Sequence, residues 1–444
     1  MSTTPIEGAT AVVVGGGWSG IAAAWYLATS GAEVTLLDEN ASLGGRCAEA
    51  SLGERAVTLG GKNIGRGYSN FRQFARALGS DDFEHFGINS SYVRDGKLHT
   101  VDSTTRWRSV RESLRTVPVR DAARLLRLAW TVRRHDADGY LAGPGFRQLA
   151  IRNDDPPLTS FFAPRTASGL LRPVTVRMNG AEPDEAHLGN LGSNLRMLMD
   201  TYDQLASGFS PLYREFARRV TVRLRSRVTA LTTDASGRVI GVLTGSLGQG
   251  SVTCPADAVV LALPAPAAAH LLAQSRWLAQ DLLAIRYFPA FVAVVEYDRP
   301  VFPEQVRALV FDADSPVSNA GAYGISARHI VRYTFSGRTA RTWLDRASTD
   351  EELLAAAEQA LAPHFPDVLR GRRHVATARW ATAYCAYSRH HATRLERIDA
   401  ATPAGLTLTG DYFRGASIEA CFRAARERIA VLTSQLGERK SARR

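Results

Sequence analysis

Apolar residues near the start of the chain fall in short unbroken runs, separated by a stretch with helical character. Residues 11–14 and 33–37 are runs of the length a buried parallel strand needs, and residues 21–29 between them are strong helix formers. The first run leads directly into Gly15-Gly16-Gly17-Trp18-Ser19-Gly20, Gly31 ends the helix, and the second run delivers Asp38 at its tip. Strand, glycines, helix, strand and acid in that order predict a βαβ nucleotide-binding unit. In such a unit Gly15 permits the tight turn, Gly17 lets the backbone approach a pyrophosphate, and Gly20 lets helix and strand pack closely. Phosphate then sits on the N–H groups of the first turn, at Trp18 and Ser19, while Asp38, with Glu39 beside it, accepts from an adenosine ribose hydroxyl.

Further along, Leu43-Gly44-Gly45-Arg46 offers two glycines where the chain can pass close to a ligand, and an arginine suited to phosphate or flavin oxygens. The run Gly60-Gly61-Lys62-Asn63 repeats the paired glycines ahead of a helix through Leu78-Gly79, and residues 92–98 read as a hairpin around Asp95-Gly96. Residues 104–134 alternate arginines with Leu, Val and Trp. Val119, Ala123, Leu126 and Trp130 fall near one helical face, with Arg120, Arg124, Arg127 and Arg134 mostly elsewhere. That pattern suits a solvated helix of a substrate domain, or a helix resting on an anionic membrane. The breaker-rich stretch 154–193 is expected to line or cover a substrate cavity. Strands are predicted over 222–231, 239–244, 252–263, 291–297, 308–311 and 329–335, and an amphipathic helix over 350–361. A last strand at 405–409 ends in Gly410-Asp411, with Gly415-Ala416-Ser417-Ile418 and a helix through Arg428 behind it.

Composition narrows the picture. With 444 residues, 45% of them hydrophobic and 22% charged, the chain can build two or three domains with sizeable cores. The net charge of +11 is almost wholly arginine, since Lys62, Lys97 and Lys440 are the only lysines. Those arginines are dispersed and no nucleic-acid motif accompanies them, so nucleic acid is not an expected partner. The longest apolar stretch, 256–273, contains Asp257, Pro264, Pro266 and His270 and cannot span a bilayer. Cys47, Cys254, Cys385 and Cys421 form no CxxC pair and no metal-ligand cluster, and the chain opens with no signal-peptide pattern; the expected setting is the cytoplasm, with peripheral membrane contact left open.

The run from the first glycines through LLDENASLGGR, and GD followed by GASIE near the end, resemble the superfamily of FAD-dependent amine oxidases, protoporphyrinogen oxidases and phytoene desaturases. The resemblance implies FAD as cofactor. It also implies a Rossmann-like three-layer α/β FAD-binding domain in three pieces (1–100, 206–275, 396–444) with an inserted helical and mixed-sheet substrate domain (101–205, 276–395). By the same resemblance Val228 contacts the adenine through its backbone, Asp411 binds ribityl or pyrophosphate oxygens, and the helix after Ser417 and Ile418 points at the flavin ring. Lys62 is then a positive charge near the flavin, with Tyr384, Tyr387 and Trp380 an aromatic sandwich for a flat substrate. Cys385 stands where some relatives attach flavin covalently, and His390 and His391 are candidate acids or bases. Two departures stand out. Many amine oxidases carry a lysine in the strand that here reads YFPAFVAVVEY, which has none, and Arg423 replaces a residue that is often small. Together these features favour an FAD-dependent oxidase or desaturase acting on a lipophilic or conjugated small molecule, with oxygen or a quinone as acceptor. A flavin amine oxidase, a redox-neutral isomerase and a non-catalytic flavin-binding protein remain the alternatives.

Overall fold

A computed structural model describes residues 6–443 apart from 86, 88, 95–96, 103–116, 247–248 and 326. The turn of the expected hairpin and residues 104–116 of the basic segment lie outside the described residues.

The strand Thr10–Val14 sits at the centre of a five-stranded parallel sheet, flanked on one side by Glu33–Leu37 and then Thr221–Arg223, and on the other by Ala258–Leu261 and then Leu406–Leu408. Its side chains alternate between two cores, as a strand buried on both faces must. Ala11 and Val13 pack under the helices Trp18–Thr29 and Ile418–Arg443, whereas Val12 and Val14 pack beneath the antiparallel strands Arg227–Thr233, Val239–Ser246 and Gln249–Pro255. Helices, parallel sheet and antiparallel sheet form the three layers expected. The run predicted as one strand over 222–231 breaks in two at Arg225, whose φ of 53° turns the chain from one sheet to the other.

The second sheet has seven strands in the order Arg372–Cys385, Tyr287–Tyr297, Ile330–Phe335, Asn319–Ala322, Ala308–Val310, Asn89–Arg94 and Lys97–Asp102. The hairpin 89–102, placed by the sequence mostly within the first FAD-binding piece, pairs with this sheet through Leu309↔Ser91 and Val310↔Tyr92. Alternation again separates two faces. Phe291, Ala293, Val295, Tyr333 and Phe335 bury against Leu353, Leu354, Ala357 and Leu361 of the helix Asp350–Leu361, and Ala290, Val292, Arg332 and Thr334 look the other way, into the space between the sheets.

The helix Val119–Arg134 uses a different face from the one the sequence suggested. Asp121, Leu125, Leu128 and Val132 are buried, while Val119, Leu126 and Trp130 are 86%, 60% and 64% exposed. A stripe at positions i, i+4, i+7 and i+11 was available to the core, and the larger Leu126 and Trp130 were left outside. Arg124 is drawn inward, donating to the Phe161 carbonyl at 2.6 Å and stacking over its ring. Arg423 is accommodated by packing over the Tyr140 ring at 4.0 Å and pairing with Asp136. The C-terminal helix is anchored by Glu419, fully buried, whose carboxylate accepts from Asn70 N–H, the Asn70 side chain (2.6 Å) and Phe71 N–H (3.0 Å) at the start of the helix Ser69–Ala77.

Candidate active site

Because all five strands of the first sheet run in parallel, the loops after them gather at one edge, where such folds bind ligands. One continuous cleft of about 3230 Å³ begins there and runs to the cavity face of the second sheet. It is bordered by every residue expected to hold FAD except Gly20, which lies behind the loop.

The glycine loop has a defined shape. Gly15 has φ 107°, and a Cβ there would stand 2.6 Å from the Ala262 carbonyl oxygen, so no other residue fits without moving the neighbouring strand. A Cβ on Gly20 would collide with the carbonyl of Gly15. Gly17 differs: its φ is ordinary and a Cβ would meet nothing within 4 Å, because it faces the open cleft. That open cradle over a helix N-terminus fits a pyrophosphate, as do Gly44, Gly45, Gly60 and Gly61 along the same wall. Asp38 is more engaged than the sequence suggested. One carboxylate oxygen accepts from Gly16 N–H at 2.6 Å and the other from Asn40 N–H and its side chain at 2.7 and 2.8 Å, so the acid shapes the loop as well as bordering the cleft. Glu39 is exposed beside it, 3.5 Å from Arg227. The Trp18 ring is 5% exposed and packs edge-on to Phe71 and Phe209, leaving only its backbone for a cofactor contact. Ser19 lies at the cleft wall, and Asn63 and the backbone of Val228 border it at separate points.

The opposite wall is built by the C-terminal motif. Ser417 accepts from Ala420 N–H at 3.1 Å and caps the C-terminal helix, whose first turn, at Ile418, borders the cleft beside Gly410. The Asp411 carboxylate does not face the cleft freely. It borders the cleft but is held by Arg46 at 2.8 Å and by the Tyr287 hydroxyl at 2.6 Å and is 2% exposed. Arg46 also donates to the Ala383 carbonyl at 2.8 Å.

At the second sheet, Lys62 donates to the Gln204 side chain at 2.7 Å and to the Tyr323 carbonyl, with its ammonium 4.4 Å from the Tyr323 ring centre. Burial, and then the nearby Arg332, pull its pKa down to about 7, against the opposing pull of Glu84. Tyr384 borders the cavity as expected, with Trp380 on the same strand, and burial pushes its hydroxyl up despite the guanidinium groups of Arg332 and Arg177 nearby. Tyr387 also borders the cleft, with nearly all of its side chain turned into the core. It is 1% exposed, T-shaped to His391, and donates to the Asp411 carbonyl at 3.3 Å, because a φ of 47° turns the chain away after Cys385. His391 is held neutral by burial, its pKa down to about 4, and its Nε2 lies 2.7 Å from the Tyr412 carbonyl; His390 pairs at the surface with Asp154. Neither borders the cleft, and Cys385 is fully buried with its thiol pushed up by that burial. Sequence reasoning did not single out Arg177 and Arg332, two more cations at the substrate end. Only position in the folded chain distinguishes them from the other arginines.

A glycine-lined cradle that opens into a second cavity suits an enzyme that holds a dinucleotide cofactor beside its substrate. The family described as flavin containing amine oxidoreductase matches residues 18–428, and the chain belongs to that family. It is an FAD-dependent oxidase. Coproporphyrinogen III oxidase of Mycobacterium tuberculosis (strain ATCC 25618 / H37Rv) is 26% identical over 96% of this chain and 97% of its own length. Among solved structures, cyclohexylamine oxidase from Brevibacterium oxydans IH-35A superposes with a TM-score of 0.71 at 20% identity, over 97% of this chain and 99% of that one. Wild-type putrescine oxidase bound to putrescine superposes with a TM-score of 0.71 at 16% identity, over 96% and 99%.

Gly17→Val should fold but be colourless, with a Tm lowered to that of FAD-stripped wild type, since the side chain would fill only the pyrophosphate cradle. Asp38→Ala should weaken FAD by about 10-fold or more, as loss of charge-assisted hydrogen bonds implies. Flavin absorbance after desalting measures both, and a yellow Gly17→Val protein would move the pyrophosphate elsewhere.

The lowered pKa of Lys62 gives a second test. Between pH 7 and about 10 the unfolded chain holds a proton at this lysine that the folded chain has released, so the cost of burying its charge, complete below pH 7, is relieved as pH rises. Wild type should therefore gain stability over that range relative to Lys62→Met, measured as the difference in Tm at pH 6 and 9.5. Parallel pH profiles of the two proteins would refute it.

Proposed function

We propose that this protein dehydrogenates a lipophilic or conjugated substrate, creating a double bond, with molecular oxygen or a quinone taking up the electrons. The observation that carries the reading is the wall facing the substrate space. The strand Tyr287–Tyr297 presents Ala290 and Val292 there, beside the aromatic Trp380 and Tyr384, with no lysine in that strand. An apolar and aromatic wall positions a flat hydrocarbon or heterocycle and excludes water. FAD, when bound, accepts a hydride from carbon or nitrogen. The chain's part is to hold the cofactor between the glycine loops and the capped C-terminal helix, and to place Lys62 and Tyr384 near the reacting region. The relatives named for coproporphyrinogen support a porphyrin-like ring as one member of this substrate class, beside isoprenoids and other secondary metabolites.

An aerobic screen of polyamines, amino acids, polyenes, terpenoids and porphyrinogens, scored by peroxide and product mass, tests this. The expected product has lost two hydrogens from carbon–carbon or ring positions. Fast peroxide release with a simple amine and a carbonyl product would restore the amine-oxidase alternative. Flavin that bleaches and recovers without oxygen, giving a product of unchanged mass, would instead assign a redox-neutral isomerase; no bleaching with any ligand would assign a binding protein.

The exposed face of the helix Val119–Arg134 supports a further part of the proposal, contact with an anionic membrane from a cytoplasmic setting. Leu126 borders the cleft mouth, with Val119 and Trp130 exposed among Arg120, Arg127 and Arg134. No helix among the described residues is long and apolar enough to cross a membrane. Arg120→Glu/Arg127→Glu/Arg134→Glu should reduce co-sedimentation with phosphatidylserine vesicles at low salt, and raised salt should do the same. Wild-type protein that stays in the supernatant at low salt would remove the membrane from the proposal.

A further inference from the structure

The substrate end of the cleft carries a charge pattern that the apolar wall does not explain. Arg177, on the helix Arg172–Asn179, is enclosed by protein yet exposed to the cavity, and its one hydrogen bond among the described residues is to the Ser90 hydroxyl at 3.2 Å. Arg332 reaches the same space from the strand Ile330–Phe335. Two of its donors are taken by backbone carbonyls, Leu59 at 2.8 Å and Gly60, and it makes no ion pair with a carboxylate among the described residues. The Tyr384 hydroxyl lies within the electrostatic reach of both guanidinium groups, and Lys62 within that of Arg332. Burial disfavours the charge on both arginines, and only tyrosines and a cysteine oppose that effect.

The acids bordering the cleft at this end are otherwise occupied or distant. Asp136 is held by Arg196 and Arg423, Asp200 accepts from Gly67 N–H, and Asp312 and Asp314 are exposed at the rim. Elsewhere this protein pairs its inward-facing arginines: Arg172 with Glu182, Arg341 with Glu185, Arg372 with Glu358. Two guanidinium groups on the wall of one cavity, with no carboxylate partner among the described residues, leave positive charge there for a ligand to neutralise. Opposite Arg332 in the sheet stands Gly321, which has no side chain to fill the space before it. Arg177 retains most of its five donors, in the planar fork that matches a carboxylate.

We propose that Arg177 and Arg332 form an anion-recognition site, so that the substrate of this enzyme is a lipophilic or conjugated molecule bearing a carboxylate. The carboxylate docks on Arg177, with Arg332 adding charge from the sheet side, while the apolar body lies along Ala290, Val292 and Trp380. The same cations repel the ammonium group of a simple amine. The inference rests on the reading of this cleft as a substrate site for an apolar molecule, and its test needs no turnover.

FAD-loaded wild type, Arg177→Gln and Arg177→Lys are each titrated with two pairs of probes, retinoate against methyl retinoate and mesoporphyrin IX against its dimethyl ester. Binding is read from the perturbation of the flavin absorption spectrum. In wild type at least one acid should bind about 10-fold or more tightly than its ester, a ratio that falls toward one in Arg177→Gln and partly returns in Arg177→Lys. Equal flavin content and Tm in the three proteins show that the fold is kept; if Arg177→Gln fails that check, Arg177→Lys and wild type at rising salt provide the comparison. An acid preference that survives Arg177→Gln overturns the assignment, and so does the absence of tighter binding by either acid in wild type. Turnover of an uncharged polyene with no acid preference would leave the dehydrogenation reading standing and remove this one, and acid-selective binding without two-hydrogen loss would do the reverse.

Discussion

The contact of Arg46 with the buried Asp411 ties together distant parts of this molecule. Arg46 comes from the loop after the first βαβ unit and Asp411 from the C-terminal motif; Tyr287, which donates to the other Asp411 oxygen, begins one central strand of the second sheet, and Ala383, which accepts from Arg46, ends its neighbour. Burial opposes the Arg46 charge, but Asp411 and Tyr287 more than offset it and keep the guanidinium protonated. Asp411 is buried while Arg46 is a third exposed at the cleft, so loss of Arg46 would leave a buried carboxylate with the Tyr287 hydroxyl as its remaining side-chain partner. The importance of the pair is geometric. It fixes the point at which cofactor cleft and substrate cavity meet.

Around that point the two sheets divide the work. The parallel sheet, buried on both faces, contributes loops at one edge, and these carry the steric conditions for a dinucleotide: a turn only glycine can make at Gly15 and an open cradle at Gly17. The seven-stranded sheet contributes a face. Its alternation sends Phe291 and Tyr333 into a hydrophobic core and Val292 and Arg332 into the cavity, so one strand both holds the domain together and shapes the substrate space.

The dinucleotide unit was legible because its requirements are local: strand, turn and helix follow one another within the residues that make the site. The strand Glu33–Leu37 and the helix Asp350–Leu361 stand where apolar periodicity put them. What sequence could not resolve depends on contacts far apart in the chain. Arg177 and Arg332 are two among dozens of arginines until the fold brings both near Tyr384. Tyr384 and Tyr387 both border the cleft, but the left-handed φ at Tyr387 itself leaves its ring almost wholly buried, which no local pattern foretells. The Val119–Arg134 helix offered two apolar stripes, and tertiary packing chose the one with Leu125, Leu128 and Val132. The ion pair of Asp411 was hidden from sequence because its partner lies 365 positions away.

The order of strands has a consequence for how this molecule comes into being. Ala258–Leu261 bonds to the first strand on one side and to Leu406–Leu408 on the other, and Glu419 caps a helix that begins at Ser69. A chain emerging from the ribosome thus exposes its nucleotide unit early but lacks the strand Leu406–Leu408 of that sheet, and the cap of a helix, until residue 419 has been made. Non-local pairings of this kind are slow to form, and in the interval the apolar faces of residues 10–37 are uncovered. A cleft walled by residues 14–63 and 410–421 takes shape only once both stretches exist, which makes its assembly a late event in biogenesis and protein cut short before residue 406 a source of aggregation.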